Sequence, residues 1–394
     1  MSLEKIDPSE FLVTDSKQFR QVCRTLRAAG RFGFDTEFIR ERSYRPQLCL
    51  IQAATDDMIA LIDPFKVDVT EFWELVADES TQKIVHAGSQ DIEMCYLHIQ
   101  QPGANIFDVQ VAAGLVGMGY PMSYGKLVQG VLNKKTIQDK SYSEWSRRPL
   151  SAGQLRYAVE DVLHLEPIRG NLTKRLKTLG RETWLRQEMS CLESDEMFEC
   201  KPQDRWRRVQ GWRRLNRRKL GVLRELAAWR EDGARRYDLP PRTFLKDQVL
   251  TALSRQMPTN IKQIRQTKGF PRPMAGKEGP AILKAIDTGR SVPESQLPNP
   301  IQPKEDNPVD KMLQDLVSAT GQSICLSQDL CHSLFASRSH YAALVSGVRY
   351  GAPKLNTLRL LTGWRNKFAG KRLKEMLAGK RTIKVANKSG LELA

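Results

Sequence analysis

An acidic pair stands at the end of a predicted strand near the start of the chain. In the stretch "GFDTEF", residues 33–38, Asp35 and Glu37 are separated by one residue. The residues around this pair mix aromatic side chains with glycine and lack a helical period, which favours a buried strand. Side chains at i and i+2 of a strand point to the same face, so the two carboxylates would lie side by side. Carboxylates that close raise each other's pKa unless a positive group lies between them.

A further acid follows a later predicted strand. The segment "VHAGSQDIEM", residues 85–94, indicates a strand that ends at Gly88 and then a helix with Ser89 as its N-cap. Asp91 lies in the first turn of this helix. A carboxylate there is stabilised by the positive end of the helix dipole, so Asp91 taken alone can be explained without any chemistry.

A third motif lies on a predicted helix. The segment "SAGQLRYAVEDVLHLEPI" starts a long helix at a Ser151 N-cap and places Tyr157 and Asp161 four residues apart on one face. Glu160 lies about 100° around the helix and is expected to face away. An isolated pair of this kind is ordinary on a helix surface. Only its combination with the other acids suggests a functional site.

The order of these motifs resembles the three exonuclease motifs of the DEDD superfamily, in its tyrosine-containing branch. The flanking segments "SYRPQLCLIQ", "IFDVQVAA" and "EWSRRPL" agree, and residues 10–180 are similar to the ribonuclease D family. This resemblance implies an α/β exonuclease domain of the ribonuclease H-like type, with a mixed sheet and flanking helices. It also implies five catalytic residues, which are Asp35, Glu37, Asp91, Tyr157 and Asp161.

Four of these five side chains are carboxylates that would repel one another in a single pocket. Hard divalent cations with oxygen ligands would relieve the repulsion, and we expect two Mg²⁺ or Mn²⁺ ions about 3.5–4 Å apart, bound by all four carboxylates. Such ions activate the attacking water and stabilise the departing 3′-oxygen. Because a phenol with a pKa of ~10 is a poor base, Tyr157 is expected to orient the water.

Five further residues are candidates for binding substrate. The resemblance places Phe38 and the backbone around Thr36 against the terminal nucleotide, although Phe38 could equally be a core aromatic residue. His86 could contact substrate or satisfy the end of a strand. Gln47 and Arg148 could contact phosphates, whereas charged loop residues are usually only solvated.

Predicted strands and helices alternate over the first 200 residues, and no strand is predicted beyond them. The "TDD" turn signal after the second predicted strand indicates that the second and third strands run antiparallel. Asp108, at the end of a short strand, is expected to support the site rather than bind metal. The predicted strands are 32–38, 48–54, 58–63, 83–88 and 105–108, and the predicted helices are 70–78, 89–98, 109–117, 123–132 and the one from Ser151.

The two halves of the chain differ in charge. Residues 1–200 contain 24 Lys/Arg and 29 Asp/Glu, whereas residues 201–394 contain 38 Lys/Arg and 16 Asp/Glu. A strongly basic half predicts a polyanionic partner. This half carries apolar residues at a helical period, and residues 213–288 resemble the helicase-and-ribonuclease-D C-terminal (HRDC) domain.

The sequence therefore predicts an exonuclease domain followed by two all-α HRDC-type domains. The second of these is more diverged, and its assignment depends on position and helical content. The expected segments are the exonuclease domain at 1–200, the first HRDC domain at 208–290, a proline-rich linker at 291–308, the second HRDC-like domain at 309–382 and a basic tail at 383–394.

The resemblance to the ribonuclease D family implies a 3′–5′ exoribonuclease that releases nucleoside 5′-monophosphates from tRNA precursors or other structured RNA. A 3′–5′ DNA exonuclease remains an alternative, because discrimination depends on how the pocket meets the 2′-OH. A non-catalytic nucleic-acid adaptor is a second alternative, which the intact set of carboxylates disfavours. An ATP-driven helicase is excluded because no G-x-x-x-x-G-K-[ST] motif occurs.

Composition also bears on location. No apolar run approaches the ~18 residues of a membrane span, and the N-terminus lacks the apolar stretch of a signal peptide. The 7 cysteines include no C-x-x-C pair, which fits a reducing cytosol and argues against a disulfide framework or a zinc module. We therefore expect a cytoplasmic monomer that binds RNA and has no membrane contact.

Overall fold

The computed structural model describes residues 7–136, 144–198, 202–299, 307–351, 354–386 and 390–394. Parts of the predicted exonuclease domain, linker, second HRDC-like domain and tail lie outside these described residues, namely 1–6, 137–143, 199–201, 300–306, 352–353 and 387–389. The chain forms two compact units. The first comprises Met1–Glu37, Leu48–Asp195 and Lys304–Ala394, and the second comprises Phe38–Gln47 and Glu196–Pro303.

A six-stranded mixed sheet forms the core of the first unit, which confirms the predicted α/β class. Its spatial order is β1-β4-β3-β2-β5-β6, so β2 lies inside the sheet. β3 and β4 pair antiparallel, as the turn signal predicted, whereas β5 pairs parallel with both β2 and β6. The strands are β1 Leu12–Val13, β2 Arg31–Ile39, β3 Gln47–Ala54, β4 Ile59–Ile62, β5 Gln82–Val85 and β6 Ile106–Asp108.

Helices pack against the sheet. Phe32 and Phe34 of β2 contact Phe72, with ring centroids 5.8 and 5.7 Å apart, so an apolar core covers that face of the strand. The helices between residues 16 and 198 are α1 Ser16–Ala29, α2 Thr70–Ala77, α3 Ser89–Ile99, α4 Val109–Leu115, α5 Tyr124–Leu132, α6 Ala152–Leu163, α7 Leu165–Thr178, α8 Glu182–Met189 and α9 Asp195–Phe198.

Three elements differ from the sequence-based predictions. β1 and α1 were missed, although α1 has an Asp15 N-cap and a clear helical spacing of its buried residues. The long helix predicted from Ser151 is instead two helices that meet at His164. Pro167 explains the break, because it has no N–H to donate to the carbonyl of Leu163 and its ring would clash there.

The C-terminal segment of the chain packs on α8 within the first unit. The Trp364 ring stacks on Trp184 with centroids 4.7 Å apart, and its Nε1–H donates to Glu188 Oε1 at 2.7 Å. Arg365 is buried; it donates both to Glu188 and to the carbonyl oxygen of Phe335. The helices of this segment are α15 Pro308–Ser327, α16 His332–Phe335, α17 Arg338–Tyr350, α18 Gly363–Arg365 and, after one π-helical turn, α19 Lys371–Leu377.

The predicted basic tail contains two strands, so the prediction that strands end before residue 200 was wrong. β7 Ile383–Ala386 pairs antiparallel with β8 Gly390–Leu393. The backbone N–H of Leu391 donates to Ser323 Oγ at 2.8 Å, which ties β8 to α15. Neither strand has a buried residue, so both lack the buried apolar run by which the strands of the first sheet were predicted.

The second unit is helical, apart from the short segment Phe38–Gln47. Its buried residues include Leu220, Leu223, Leu226 and Trp229, the apolar positions that predicted a helix. The start of the predicted linker also belongs to this fold, because Leu297 is buried. The helices are α10 Arg217–Arg236, α11 Pro241–Phe244, α12 Asp247–Gln256, α13 Ile261–Gln266 and α14 Met274–Ser291.

The two helical segments share an order of helix lengths. α10 and α15 are both 20 residues long, and α11 and α16 are both four residues long. Each short helix ends in a buried phenylalanine, Phe244 or Phe335, and is followed by a helix of 10 or 13 residues. None of the helices in the described part of the chain has the length and apolar character that a membrane-spanning helix requires.

Replacing Glu188 should lower the stability of the first unit. In Glu188→Ala the buried Arg365 would keep its charge and lose its ion pair, which typically costs about 3 kcal/mol. We expect the melting temperature at neutral pH to fall by about 6 °C or more in calorimetry, whereas Glu182→Ala, on the exposed side of the same helix, should change it by less than about 2 °C. An equal effect of both substitutions would contradict this role for Glu188.

This contribution should depend on pH. Burial by itself would raise the pKa of Glu188, but hydrogen bonds and charge from Arg365, with Trp364 and Arg359, hold it below the ordinary value of 4.5. A lowered pKa stabilises the folded state fully above pH 4.5 and loses this effect as the pH falls through the folded-state pKa. The difference in melting temperature between the parent and Glu188→Ala should therefore shrink in acid.

Candidate active site

Three of the predicted catalytic carboxylates meet over one face of β2. Asp35 and Glu37 alternate with Gly33 on this face, and Gly33 leaves room for α7, since a Cβ there would lie 2.9 Å from Leu165 Cδ1. The close approach brings the end of α6 and its Asp161 over the strand. One carboxylate oxygen from each of Asp35, Glu37 and Asp161 lies within 4.8 Å of the others.

A tight turn between β5 and α3 determines the position of the fourth carboxylate, Asp91. Ala87 has a positive φ of 57°, and the N–H groups of Ala87 and Gly88 each donate to the Asp108 carboxylate at 3.1 Å. Asp108 also accepts from the N–H of Gln110 at 2.8 Å as the N-cap of α4. Asp108 therefore holds the turn that carries Asp91, in line with its predicted supporting role. The N-cap of α3 is Gly88, not Ser89 as predicted.

Thr36 connects Asp91 to the strand that carries the acidic pair. Its side chain is buried on the opposite face of β2 from Asp35 and Glu37, and its hydroxyl donates to Asp91 Oδ1. From the sequence, only the backbone at this position is expected to have a role. A threonine between two acids carries no signal that its hydroxyl will reach a residue 55 positions away.

The electrostatics of the cluster favour a bound cation. Burial, followed by the charges of Asp91, Asp161 and Glu37, raises the pKa of Asp35 well above its ordinary range. Burial and the charges of Asp161 and Asp91 raise the pKa of Glu37 to about 8. Burial also raises the pKa of Asp91 to about 6, although the Thr36 hydrogen bond opposes the shift. Carboxylate oxygens that are so close and so hard to ionise together suit hard divalent cations.

Tyr157 lies on α6, one turn before Asp161, and its ring is 6.1 Å from that of Trp145. The segment that carries Trp145 is anchored by Arg148, which donates to both carboxylate oxygens of Asp63 at 2.7 and 2.9 Å and to the carbonyl oxygens of Cys49 and Trp145. These contacts direct the guanidinium to protein oxygen atoms. The prediction that Arg148 binds phosphate gains no support from this geometry, which gives the residue a structural role.

The other substrate-binding candidates lie at strand ends. His86 Nε2 is 2.9 Å from the carbonyl oxygen of Met122, a residue 36 positions away, and burial lowers the pKa of His86. Phe38 is half-buried, with the Arg40 guanidinium 4.7 Å from its ring centroid. Gln47 is exposed at the start of β3. The substrate contacts expected of His86, Phe38 and Gln47 stay predictions.

Two further residues near the cluster carried no signal in the sequence. Burial raises the pKa of Tyr124, a hydrogen bond from the N–H of His164 opposes the shift, and the charges of Asp161 and Asp35 raise it further. Tyr124 therefore lies in the field of the acidic cluster. Glu160, expected to face away from the Tyr157 side of its helix, is itself buried.

Comparisons with known proteins agree with this geometry. Residues 11–177 match the 3′–5′ exonuclease family, and residues 219–286 match the HRDC domain family. The chain is 33% identical to ribonuclease D of Granulibacter bethesdensis, over 92% of this chain and 91% of that protein. The chain belongs to the ribonuclease D family. It is also 33% identical to ribonuclease D of Gluconacetobacter diazotrophicus, again over 92% of this chain and 91% of that protein.

Solved structures extend the match to the fold. The crystal structure of Escherichia coli RNase D superposes with a TM-score of 0.82 at 26% identity and covers 93% of this chain and 98% of that one. That protein is described as an exoribonuclease involved in structured RNA processing. A protein from Bifidobacterium adolescentis, at 20% identity and a TM-score of 0.65, shares the fold over 93% of this chain and 97% of its own. This chain thus has the domain content of the ribonuclease D family, including its 3′–5′ exonuclease domain.

Removing the Thr36 hydroxyl should impair the site without unfolding the protein. Thr36→Val keeps the shape of the buried side chain and deletes the hydrogen bond to Asp91, and loss of such a supporting contact typically costs about 10- to 100-fold in activity or metal affinity. Thr36→Ser keeps the hydroxyl and should retain activity within about threefold of the parent. Both variants are compared by RNA cleavage rates over a series of Mg²⁺ concentrations. Equal activity of Thr36→Val and Thr36→Ser would show that the hydrogen bond is dispensable.

Proposed function

We propose that the protein shortens structured RNA, such as tRNA precursors, by hydrolysing one nucleotide at a time from the 3′ end. The 3′–5′ exoribonuclease activity is that of its family. The catalytic residues, the metal ions and the class of RNA substrate are proposed here. The observation that carries it is the convergence of Asp35, Glu37 and Asp161 oxygens within 4.8 Å of one another, next to the buried Asp91. The products are nucleoside 5′-monophosphates.

In this proposal Asp35, Glu37, Asp91 and Asp161 hold two divalent cations, Mg²⁺ or Mn²⁺. When bound, such ions lower the pKa of the attacking water and stabilise the charge that develops on the departing 3′-oxygen. The donor set fits them, because it is made only of carboxylate oxygens and its pKa values are raised by burial and by mutual repulsion. Thr36 keeps Asp91 in place through its hydroxyl.

Tyr157 orients the attacking water in this proposal. Its place on α6 one turn from Asp161 puts both side chains on the same face of the helix. The packing of Trp145 against its ring restricts the phenol, and Arg148 holds the Trp145 segment through Asp63. A restricted side chain loses less freedom when it positions a reacting group.

RNA capture is assigned to the basic residues at the start of the second unit, but only to some of them. Arg205 pairs with Glu231 at 2.5 Å, and Arg218 donates to the carbonyl oxygen of Arg290 at 2.7 Å, so these guanidinium groups serve the fold. The exposed arginines that remain as candidates for phosphate contacts are Arg208, Arg213 and Arg214.

We further propose that the helices of residues 309–382 are a second, diverged HRDC-type domain. The support is the shared order of helix lengths and the buried phenylalanine that ends each short helix. Residues 208–290 then form the first HRDC domain. We also propose that the protein works as a monomer and that it is cytoplasmic. The absence of C-x-x-C pairs from its 7 cysteines supports the reducing location.

Asp35→Asn tests the assignment of the site. The substitution removes a carboxylate ligand and almost no volume, so hydrolysis should fall by more than about 10³-fold while RNA affinity in EDTA stays within about twofold of the parent. The measurement uses matched 3′-labelled RNA and DNA oligonucleotides with Mg²⁺ or EDTA. Activity of Asp35→Asn within about tenfold of the parent would rule out the proposed site, and faster cleavage of DNA than RNA would overturn the proposed substrate.

The three exposed arginines should set the salt dependence of binding. Each phosphate contact contributes about −0.7 to the slope of log affinity against log salt on single-stranded RNA. Replacing Arg208, Arg213 and Arg214 together by alanine should therefore flatten the slope by about 2 and leave cleavage of very short RNA unchanged. The control replaces three exposed cations of α1 by alanine, namely Lys17, Arg20 and Arg24. Equal slopes for the two triple variants would place the capture surface elsewhere.

A further inference from the structure

The segment that follows the acidic pair along the chain belongs to the helical unit. Phe38–Gln47 is grouped with Glu196–Pro303, although the sequence predicted one exonuclease domain from residue 1 to 200. The segment begins at the residue after Glu37 and contains two of the predicted substrate contacts, Phe38 and Gln47.

Tyr44 supplies several of the contacts that hold this segment. Its hydroxyl donates to Glu231 Oε1 at 2.6 Å, and its backbone N–H donates to Asp238 Oδ1 at 3.0 Å. Its ring packs against the apolar core that includes Trp206 and Leu226. A single residue thus combines apolar burial with two hydrogen bonds to acids.

Two arginines complete the surroundings of the Tyr44 hydroxyl. Arg205 and Arg235 each donate to Tyr44 Oη at 3.4 Å, and the Arg235 guanidinium lies 5.4 Å from the ring centroid. Arg205 also forms an ion pair with Glu231, so the acid that accepts from Tyr44 is itself held in place. Hydrogen bonds to charged partners are stronger than those between neutral groups. The contacts of the Tyr44 hydroxyl with Glu231 and the two arginines therefore anchor the segment specifically.

We propose that Tyr44 is a positioning residue for RNA hydrolysis. By anchoring residues 38–47 on the helical unit, it fixes the path of the chain that leaves Glu37 and carries Phe38. The first HRDC-type domain then has a second task besides RNA capture, since it anchors the segment that continues the chain from Glu37. This inference rests on the proposed roles of Glu37 and Phe38.

The test compares full-length variants on two kinds of RNA. Tyr44→Ala should lower kcat/KM by about 10- to 100-fold on an oligonucleotide of about five nucleotides, which is too short to depend on capture, because small displacements of positioning groups have effects of this size. Its affinity for long structured RNA in EDTA should stay within about twofold of the parent. Tyr44→Phe, which keeps the ring and loses the bond to Glu231, should show a smaller loss.

Tyr237→Phe provides the matched control. The Tyr237 hydroxyl donates to Glu278 Oε1 at 3.2 Å in the same unit, and neither of these residues contacts the segment through a hydrogen bond that the structure describes. This variant should cleave the short RNA at the rate of the parent. If Tyr44→Ala fails to fold, the comparison between Tyr44→Phe and Tyr237→Phe decides the matter.

Hydrogen exchange adds a readout that does not depend on catalysis. Amides of residues 38–47 should exchange about tenfold faster in Tyr44→Ala than in the parent, and no faster in Tyr237→Phe. Unchanged exchange, or faster exchange with undiminished cleavage of the short RNA, would overturn the role of Tyr44 while leaving the proposed function intact. A parent protein that cleaves no RNA would instead overturn the proposed function, and the role of Tyr44 in hydrolysis with it.

Discussion

The mutual repulsion of partly buried carboxylates is the constraint on which the rest of the structure depends. One carboxylate oxygen from each of Asp35, Glu37 and Asp161 lies within 4.8 Å of the others, and burial and repulsion raise the pKa of Glu37 to about 8. A protein without a cation would gain stability by separating such groups. The surrounding elements instead hold them together, and a cluster of this kind is suited to binding hard divalent cations.

Several ordinary packing features hold the carboxylates together. Gly33 lets α7 approach β2 closely, and Pro167 ends α6 so that Asp161 stands at its last turn rather than in the middle of a long helix. Asp108 ties the turn before Asp91 through backbone N–H groups. None of these three residues is assigned to the chemistry, yet each limits where a carboxylate can lie.

Arginine has two distinct tasks in the basic half of the chain. Some guanidinium groups are buried and paired, such as Arg365 with Glu188 and Arg230 with Asp247, and they lock helices together. Others, such as Arg213, lie exposed beside aromatic rings. Net charge alone therefore overstates the surface offered to a polyanion, because a paired arginine adds to the count without adding to the attraction.

The sequence by itself determined the five catalytic candidates, through the resemblance that the order of its three motifs carries, and it determined most strands of the sheet and the helical nature of the second half. The strands and helices depend on residues close in sequence, where periodicity and caps act. The tertiary structure alone decided that Thr36 supports Asp91, that Arg148 anchors Asp63 and that Tyr44 reaches Glu231. These partners are 55, 85 and 187 positions apart, and such contacts form only once the chain has folded, so no local signal encodes them.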